Sequence, residues 1–120
     1  MTVNYQKGQK DTRPWGDWEV LDVGENYIVK RIRVLPDKKL SLQMHHHRSE
    51  HWIISEGTAK VTLGNKIFEA PANTPIFIEV EQKHRIANET NFPVVFIEIQ
   101  TGETLDENDI VRFEDAYGRV

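Results

Sequence analysis

From Arg13 to Thr101 the chain is a succession of short apolar runs with period-2 alternation, interrupted by Pro, Gly, Asp or Asn at intervals of roughly ten residues. Successive side chains of a strand point to opposite faces, so this period buries one face of an extended chain and leaves the other in water. No window carries the 3.6-residue period of an amphipathic helix. Strands this short and this closely spaced pair into antiparallel sheets, and a sandwich or barrel is the way to cover their apolar faces. The pattern predicts nine strands: Trp18 to Leu21, Tyr27 to Leu35, Leu40 to His45, Trp52 to Ser55, Ala59 to Leu63, Ile67 to Glu69, Ile76 to Ile78, Arg85 to Ala87 and Val94 to Gln100.

Gly64-Asn65 fits a two-residue II′ hairpin turn, in which Gly supplies the positive φ of the first central position, and makes the flanking strands antiparallel neighbours. Residues 1–12 are polar and aperiodic and read as an arm that needs a partner to become ordered, while residues 13–120 read as one domain. After Gly102 an acidic stretch, Glu103 to Asp109, precedes Ile110-Val111-Arg112-Phe113, which reads as a turn and a closing segment. At 120 residues there is room for one core. The net charge of −4 argues against a nucleic-acid partner, and the absence of cysteine leaves His, carboxylate and amide groups as the only metal ligands. No apolar run approaches the ~18 residues of a membrane span, and the N-terminus lacks an apolar leader, so the expected location is the cytoplasm.

The chemistry is concentrated in histidine. Four of the five lie within seven positions, His45, His46, His47 and His51, and the fifth, His84, belongs to a different strand. Alternation puts Gln43 and His45 on one face and Met44 and His46 on the other, so three adjacent imidazoles cannot all serve one ion. With a turn at Arg48-Ser49 the chain runs back, and Glu50, Trp52 and Ile54 share a face that brings Glu50 beside His45.

Those residues resemble the cupin motifs. Asp37 stands at the first Gly of motif one, Gln43-Met44-His45 at its His-x-His, Glu50 after four intervening residues, and Gly57 after six more. Motif two finds His84 and Asn88 at their usual separation, with Glu79 and Glu81 where Pro and Gly are common. A closer resemblance, over about Arg13 to Arg119, is to the type II mannose-6-phosphate isomerase domain. It rests on Arg13-Pro14-Trp15-Gly16, on Leu40 through Trp52 with its Gln-Met-His-His-His core, on Ser55-Glu56-Gly57-Thr58-Ala59, and on Asp109 through Asp115. That domain usually forms the C-terminal part of a bifunctional mannose-1-phosphate guanylyltransferase and isomerase. No Gly-rich nucleotidyltransferase signature is present here, so guanylyl transfer is not expected of this chain.

The resemblance implies an all-β fold, a cupin-type jelly-roll barrel, and a homodimer with the N-terminal arm on the neighbouring sheet. It implies a metal-dependent isomerase interconverting mannose 6-phosphate and fructose 6-phosphate in activated-sugar and polysaccharide synthesis. One divalent ion would sit on Gln43, His45, Glu50 and His84, zinc first, with manganese, iron, cobalt or nickel able to fill the same mixed N/O set. Moving a carbonyl between C1 and C2 also needs a proton shuttle and cations for the phosphate. Glu98, His47 and Lys83 are the candidates for the base, and Lys30 and Arg112 for the phosphate. Two other functions stay open: a non-catalytic sugar or sugar-phosphate binding module, and a different metal-dependent cupin enzyme such as an oxygenase.

Simpler readings exist for several of these residues. Trp15, Trp18 and Trp52 suit a core or an interface, and the acidic run suits a solvated turn. Lys30, Arg31 and Arg33 would be protective charges if their strand lay at an edge. Glu98 competes with Val95, Ile97 and Ile99 for the inward face of its strand, and alternation alone leaves that register open.

Overall fold

A computed structural model describes residues 2–119, and among them there are fourteen strands and no helix. In chain order they are β1 (Thr2–Val3), β2 (Lys10–Arg13), β3 (Gly16–Val23), β4 (Tyr27–Val34), β5 (Lys38–Lys39), β6 (Leu42–Met44), β7 (Arg48–Glu56), β8 (Thr58–Leu63), β9 (Lys66–Pro71), β10 (Pro75–Ile78), β11 (His84–Asn88), β12 (Val94–Gly102), β13 (Thr104–Leu105) and β14 (Val111–Glu114). One sheet runs β10-β7-β12-β4-β3-β2; the other runs β14-β6-β11-β8-β9, with β5 also paired to β11. The two sheets form the expected all-β jelly-roll barrel.

The first sheet shows how the site is positioned. Directly opposite residues share a face, so the register stacks its inner side chains in rows. Val34 faces Val94; next, Ile32, Phe96 and Ile54 form one row; then Lys30, Glu98 and Trp52; then Ile28, Gln100 and Glu50. The first two rows are apolar and buried, and together with Val61, Ala59 and Ile86 of the second sheet they close one end of the barrel. The later rows introduce Lys30, Glu98, Gln100 and Glu50, all buried, which no sequence would place in a packed core without partners for their charge. The barrel therefore has an apolar end and a polar end. Glu98 faces inward because β12 buries Val94, Phe96, Glu98 and Gln100, leaving Val95, Ile97 and Ile99 on the outer side.

Local details follow the expected turn chemistry in part. Leu63 pairs with Lys66 across Gly64-Asn65, and the positive φ falls on Gly64 (58°) and not on Asn65, as a II′ turn requires. Asp37 (φ 59°) and Glu81 (φ 63°) adopt the left-handed conformation at the two positions where the cupin motifs carry glycine, so the backbone shape is kept without the residue that favours it. Gly57 retains both: its φ is 80°, and a Cβ there would meet the Pro93 carbonyl oxygen at 2.5 Å.

Two expectations need correction. The turn before β7 lies at His46-His47, and Arg48 and Ser49 are already in the strand. The polar N-terminal segment is anchored within its own chain: β1 pairs in parallel with β13, Tyr5 is buried, and β2 extends the first sheet beside β3, so the strand crosses the expected 12/13 boundary. No helix among the described residues is long and apolar enough to cross a membrane.

Candidate metal centre

The polar rows meet β11 and the end of β6 at the open end of the barrel. There His45, Glu50 and His84 are all buried and each offers a ligand atom, the three atoms lying within 4.8 Å of one another. Glu50 comes from the inner face of β7, His84 begins β11, and His45 follows β6 at the start of the turn that leads into β7.

Both imidazoles are oriented from behind. His45 Nδ1 lies 2.6 Å from the Asp109 carbonyl oxygen and His84 Nδ1 lies 2.9 Å from that of Gln82. A carbonyl can only accept, so each Nδ1 carries the hydrogen and each Nε2 presents a lone pair to the interior. Burial pushes His45 down to about 4, against the pull of the Glu50 charge, and lowers His84 by the same cause, so both rings are neutral at neutral pH. Burial by itself would raise Glu50, but the Arg48 guanidinium beside it outweighs this and holds the carboxyl well below its ordinary value. Two lone pairs and a carboxylate therefore converge. His45 Nε2 stands 3.3 Å from Glu50 Oε2, and His84 Nε2 is buried with no hydrogen-bond partner.

An orphaned ring nitrogen in this setting could coordinate a cation, and backbone carbonyls that fix the tautomer are the usual support of a metal-binding histidine. The donor set, two imidazoles and a carboxylate, fits a divalent ion. Gln43 lines the same cavity and pairs in register with His84, which makes it available as a fourth ligand.

The remaining expected residues separate. Glu98 lies next to the centre: Trp52 Nε1 donates to Glu50 Oε1 at 3.0 Å and to Glu98 Oε1 at 3.2 Å, and Gln100 Nε2 donates to Glu98 Oε2 at 2.8 Å. Burial, and then the charge of Glu50, raise Glu98 well above the ordinary carboxylate range. Lys30 is inside the barrel as its strand face implies, where Nζ donates to Glu107 at 2.7 Å and sits 4.2 Å from the Trp18 ring centroid. Arg112 lines the cavity. His47 and Lys83 do not: His47 is exposed at the turn, and Lys83 points Nζ at the Phe113 ring, 4.2 Å from its centroid.

Sequence reasoning missed Arg48, Glu107 and Tyr5. Arg48 is 7% exposed; its Nε donates to Glu50 Oε2 at 2.8 Å and its Nη2 to His45 Nε2 at 3.2 Å. Extending the Glu50, Trp52 and Ile54 face by two residues reaches Arg48, so alternation contained that signal once the turn was placed correctly. Glu107 and Tyr5 meet Lys30 from segments 77 and 25 residues away, a separation that local pattern does not bridge.

The cavity lined by Gln43, His45, Arg48, Glu98 and Arg112 measures about 80 Å³.

Comparison with known proteins agrees with this geometry. A double-stranded β-helix protein from Klebsiella pneumoniae matches 94% of this chain and 91% of its own at a TM-score of 0.70 and 17% identity. An oxalate decarboxylase from Lactobacillus farciminis matches 88% of this chain and 33% of its own at 0.75 and 18%. These likenesses concern the fold. In sequence, the xanthan biosynthesis protein XanB of Xanthomonas campestris is 49% identical over 112 residues, 93% of this chain and 24% of that protein. The alginate biosynthesis protein AlgA of Pseudomonas aeruginosa is 49% identical over 108 residues, 90% of this chain and 22% of that protein. The chain thus spans less than a quarter of the length of these relatives. The family model described as the mannose-6-phosphate isomerase C-terminal domain matches residues 2–115, and with nearly half of the aligned residues shared with such relatives, the chain belongs to that family.

Proposed function

We propose that this protein is a metal-dependent aldose–ketose isomerase that interconverts mannose 6-phosphate and fructose 6-phosphate. The observation that carries the reading is the buried, unpartnered Nε2 of His84, within 4.8 Å of His45 and Glu50 ligand atoms, beside a cavity that His45, the Glu98 carboxyl and Arg112 line. His45, Glu50, His84 and Gln43 would hold the ion, with zinc the first choice for two imidazoles and a carboxylate. A bound divalent ion supplies Lewis acidity toward the oxygens on C1 and C2.

The chain's own residues account for the rest. In the aldose-to-ketose direction a proton leaves C2, O1 is protonated, a proton is delivered to C1, and O2 loses its own, so the product is an isomer with no redox partner required. Of the three candidate bases, Glu98 is the one that lines the cavity. A carboxyl raised by burial toward neutrality is suited both to accept a proton from carbon and to return it. Trp52 and Gln100 fix its two oxygens. Arg112 and Lys30 supply positive charge in the same cavity for the phosphate.

A second reading has one specific observation in its favour. Arg48 hydrogen-bonds both His45 and Glu50, so a guanidinium already satisfies part of the centre, as a metal-free sugar-phosphate binding module would require. The two are separated by incubating the metal-loaded protein with mannose 6-phosphate in deuterated water and following fructose 6-phosphate and exchange at C2 by NMR. Turnover that chelator abolishes and one metal restores supports the isomerase. Neither product nor exchange under several metals rejects it in favour of the binding module.

A further inference from the structure

Three arginines converge on the mouth of the cavity. Arg13 ends β2, Arg112 lies in β14, and Arg119 follows the turn after β14. Their carboxylate partners are unequal. Asp115 accepts three bonds from Arg119, from its backbone N–H at 2.8 Å, Nε at 2.7 Å and Nη2 at 3.1 Å. Asp11 lies 3.0 Å from Arg13. Among the described residues no ion pair neutralises Arg112, and its Nε is buried without an acceptor. Burial, and then the nearby charge of Arg119, disfavour the protonated form of Arg112, against the pull of the Asp115 and Glu107 carboxylates, neither of which pairs with it. A guanidinium held among other guanidiniums, with a buried N–H left unmade, is the signature of an anion site.

The deeper cation is already matched. Lys30 donates to Glu107 at 2.7 Å and is packed against Trp18 and Tyr5, so its charge is balanced before any ligand enters. Register supplies the distance between the arginines and the metal centre. Arg112 is paired directly with Gln43, and Gln43 with His84, so the three lie in one row across β14, β6 and β11. Two strand spacings, roughly 9–10 Å, therefore separate Arg112 from His84 along the backbone. An extended hexose 6-phosphate has its phosphate and its C1–C2 end at opposite ends of the molecule and can bridge such a span.

We propose that Arg13, Arg112 and Arg119 form the phosphate-binding rim of this cavity, with Arg112 the central donor, gripping a phosphomonoester whose sugar reaches inward to Glu98 and the metal centre. The assignment rests on the isomerase reading in using the same cavity, and it moves the phosphate from Lys30 to the rim. Guanidinium suits the task because its planar fork can make two parallel bonds to phosphate oxygens.

The test is calorimetric titration of the metal-loaded full chain with inorganic phosphate, mannose 6-phosphate and mannose, for the wild type, Arg112→Gln and Arg119→Gln, each checked by thermal melting. The wild type should bind both phosphate species more tightly than mannose. Arg112→Gln should weaken both by about tenfold or more, the scale of a lost charge-assisted contact, while mannose binding stays within twofold. Arg119→Gln should weaken them by a smaller factor, and in turnover Arg112→Gln should raise KM more than it lowers kcat. Should Arg112→Gln fail to fold, Arg119→Gln decides alone. Folded variants that bind phosphate as the wild type does, or a wild type that prefers mannose, would overturn the rim. Because phosphate binding is read without turnover, a protein that binds phosphate through these arginines yet never isomerises keeps the rim and loses the isomerase; unchanged KM in both variants does the reverse.

Discussion

Asp109 offers a way to disturb the metal centre without removing a ligand. Its carboxylate oxygens each accept one backbone N–H of the turn, from His46 at 2.9 Å and from His47 at 3.0 Å, while its carbonyl accepts His45 Nδ1–H at 2.6 Å. The side chain thus holds the turn that presents His45, and the main chain of the same residue sets the ring's tautomer. Asp109→Asn keeps one oxygen and turns the other into a donor facing a donor. Asp109→Ala removes both acceptors. At a turn that water reaches, each bond contributes about 1 kcal/mol, below the range of shielded bonds to charged groups, so Asp109→Ala should cost about 2 kcal/mol and Asp109→Asn somewhat less. If that cost falls on the turn itself, metal affinity drops about thirtyfold, since 1.4 kcal/mol is a factor of ten. Urea unfolding of the metal-free protein measures the first quantity, and competition with a chromogenic chelator measures the second. A pair of variants that lose stability but hold metal within twofold of the wild type would refute the coupling and leave Asp109 as a brace of the fold. Unchanged stability as well would show that the turn does not depend on these bonds.

Three further outcomes follow from particular side chains. Arg48→Met strands the buried Glu50 carboxylate and should destabilise the metal-free protein by about 3–5 kcal/mol, with a bound divalent ion restoring part of it; equal losses with and without metal would contradict a shared role for the two cations. Asp37→Gly relieves a left-handed conformation (φ 59°) and should stabilise the fold by about 0.5–1 kcal/mol after the added freedom of the unfolded chain is deducted, measurable as a higher urea midpoint at unchanged slope. The hydrogen bonds from Arg119 hold Asp115 down to about 2, below its ordinary 3.8, so the native state binds fewer protons than the unfolded chain between those values. This stabilisation is fully present above about pH 4 and is lost as pH falls through 2, and Arg119→Gln should flatten that acid limb in pH-dependent melting.

What the sequence could disclose divides along the range of the interactions involved. Strand existence, the hairpin at Gly64 and the motif spacing of His45, Glu50 and His84 are consequences of neighbours within a few residues, and a period or a turn residue records them. Asp37 and Glu81 carry the same message in reverse: the motif located two left-handed positions although the residues standing there disfavour that conformation. The inward face of β12 was not legible, because Val95, Ile97 and Ile99 are as apolar as Val94 and Phe96, and alternation cannot choose between two apolar faces. The choice is made across strands, where Glu98 facing Lys30 and Trp52 finds a buried cation and an indole N–H, partners that an outward register would deny it. The turn at His46-His47 has a larger consequence: it puts Arg48 in β7 on the face of Glu50, where the guanidinium meets both Glu50 and His45, and local pattern does not fix that turn. The charge balance of the barrel interior is therefore a tertiary property. Glu50 answers Arg48, Glu107 answers Lys30 from the far end of the chain, and Arg112 has no such answer, which is why an unmatched arginine at the rim says more about the ligand than any histidine in the motif.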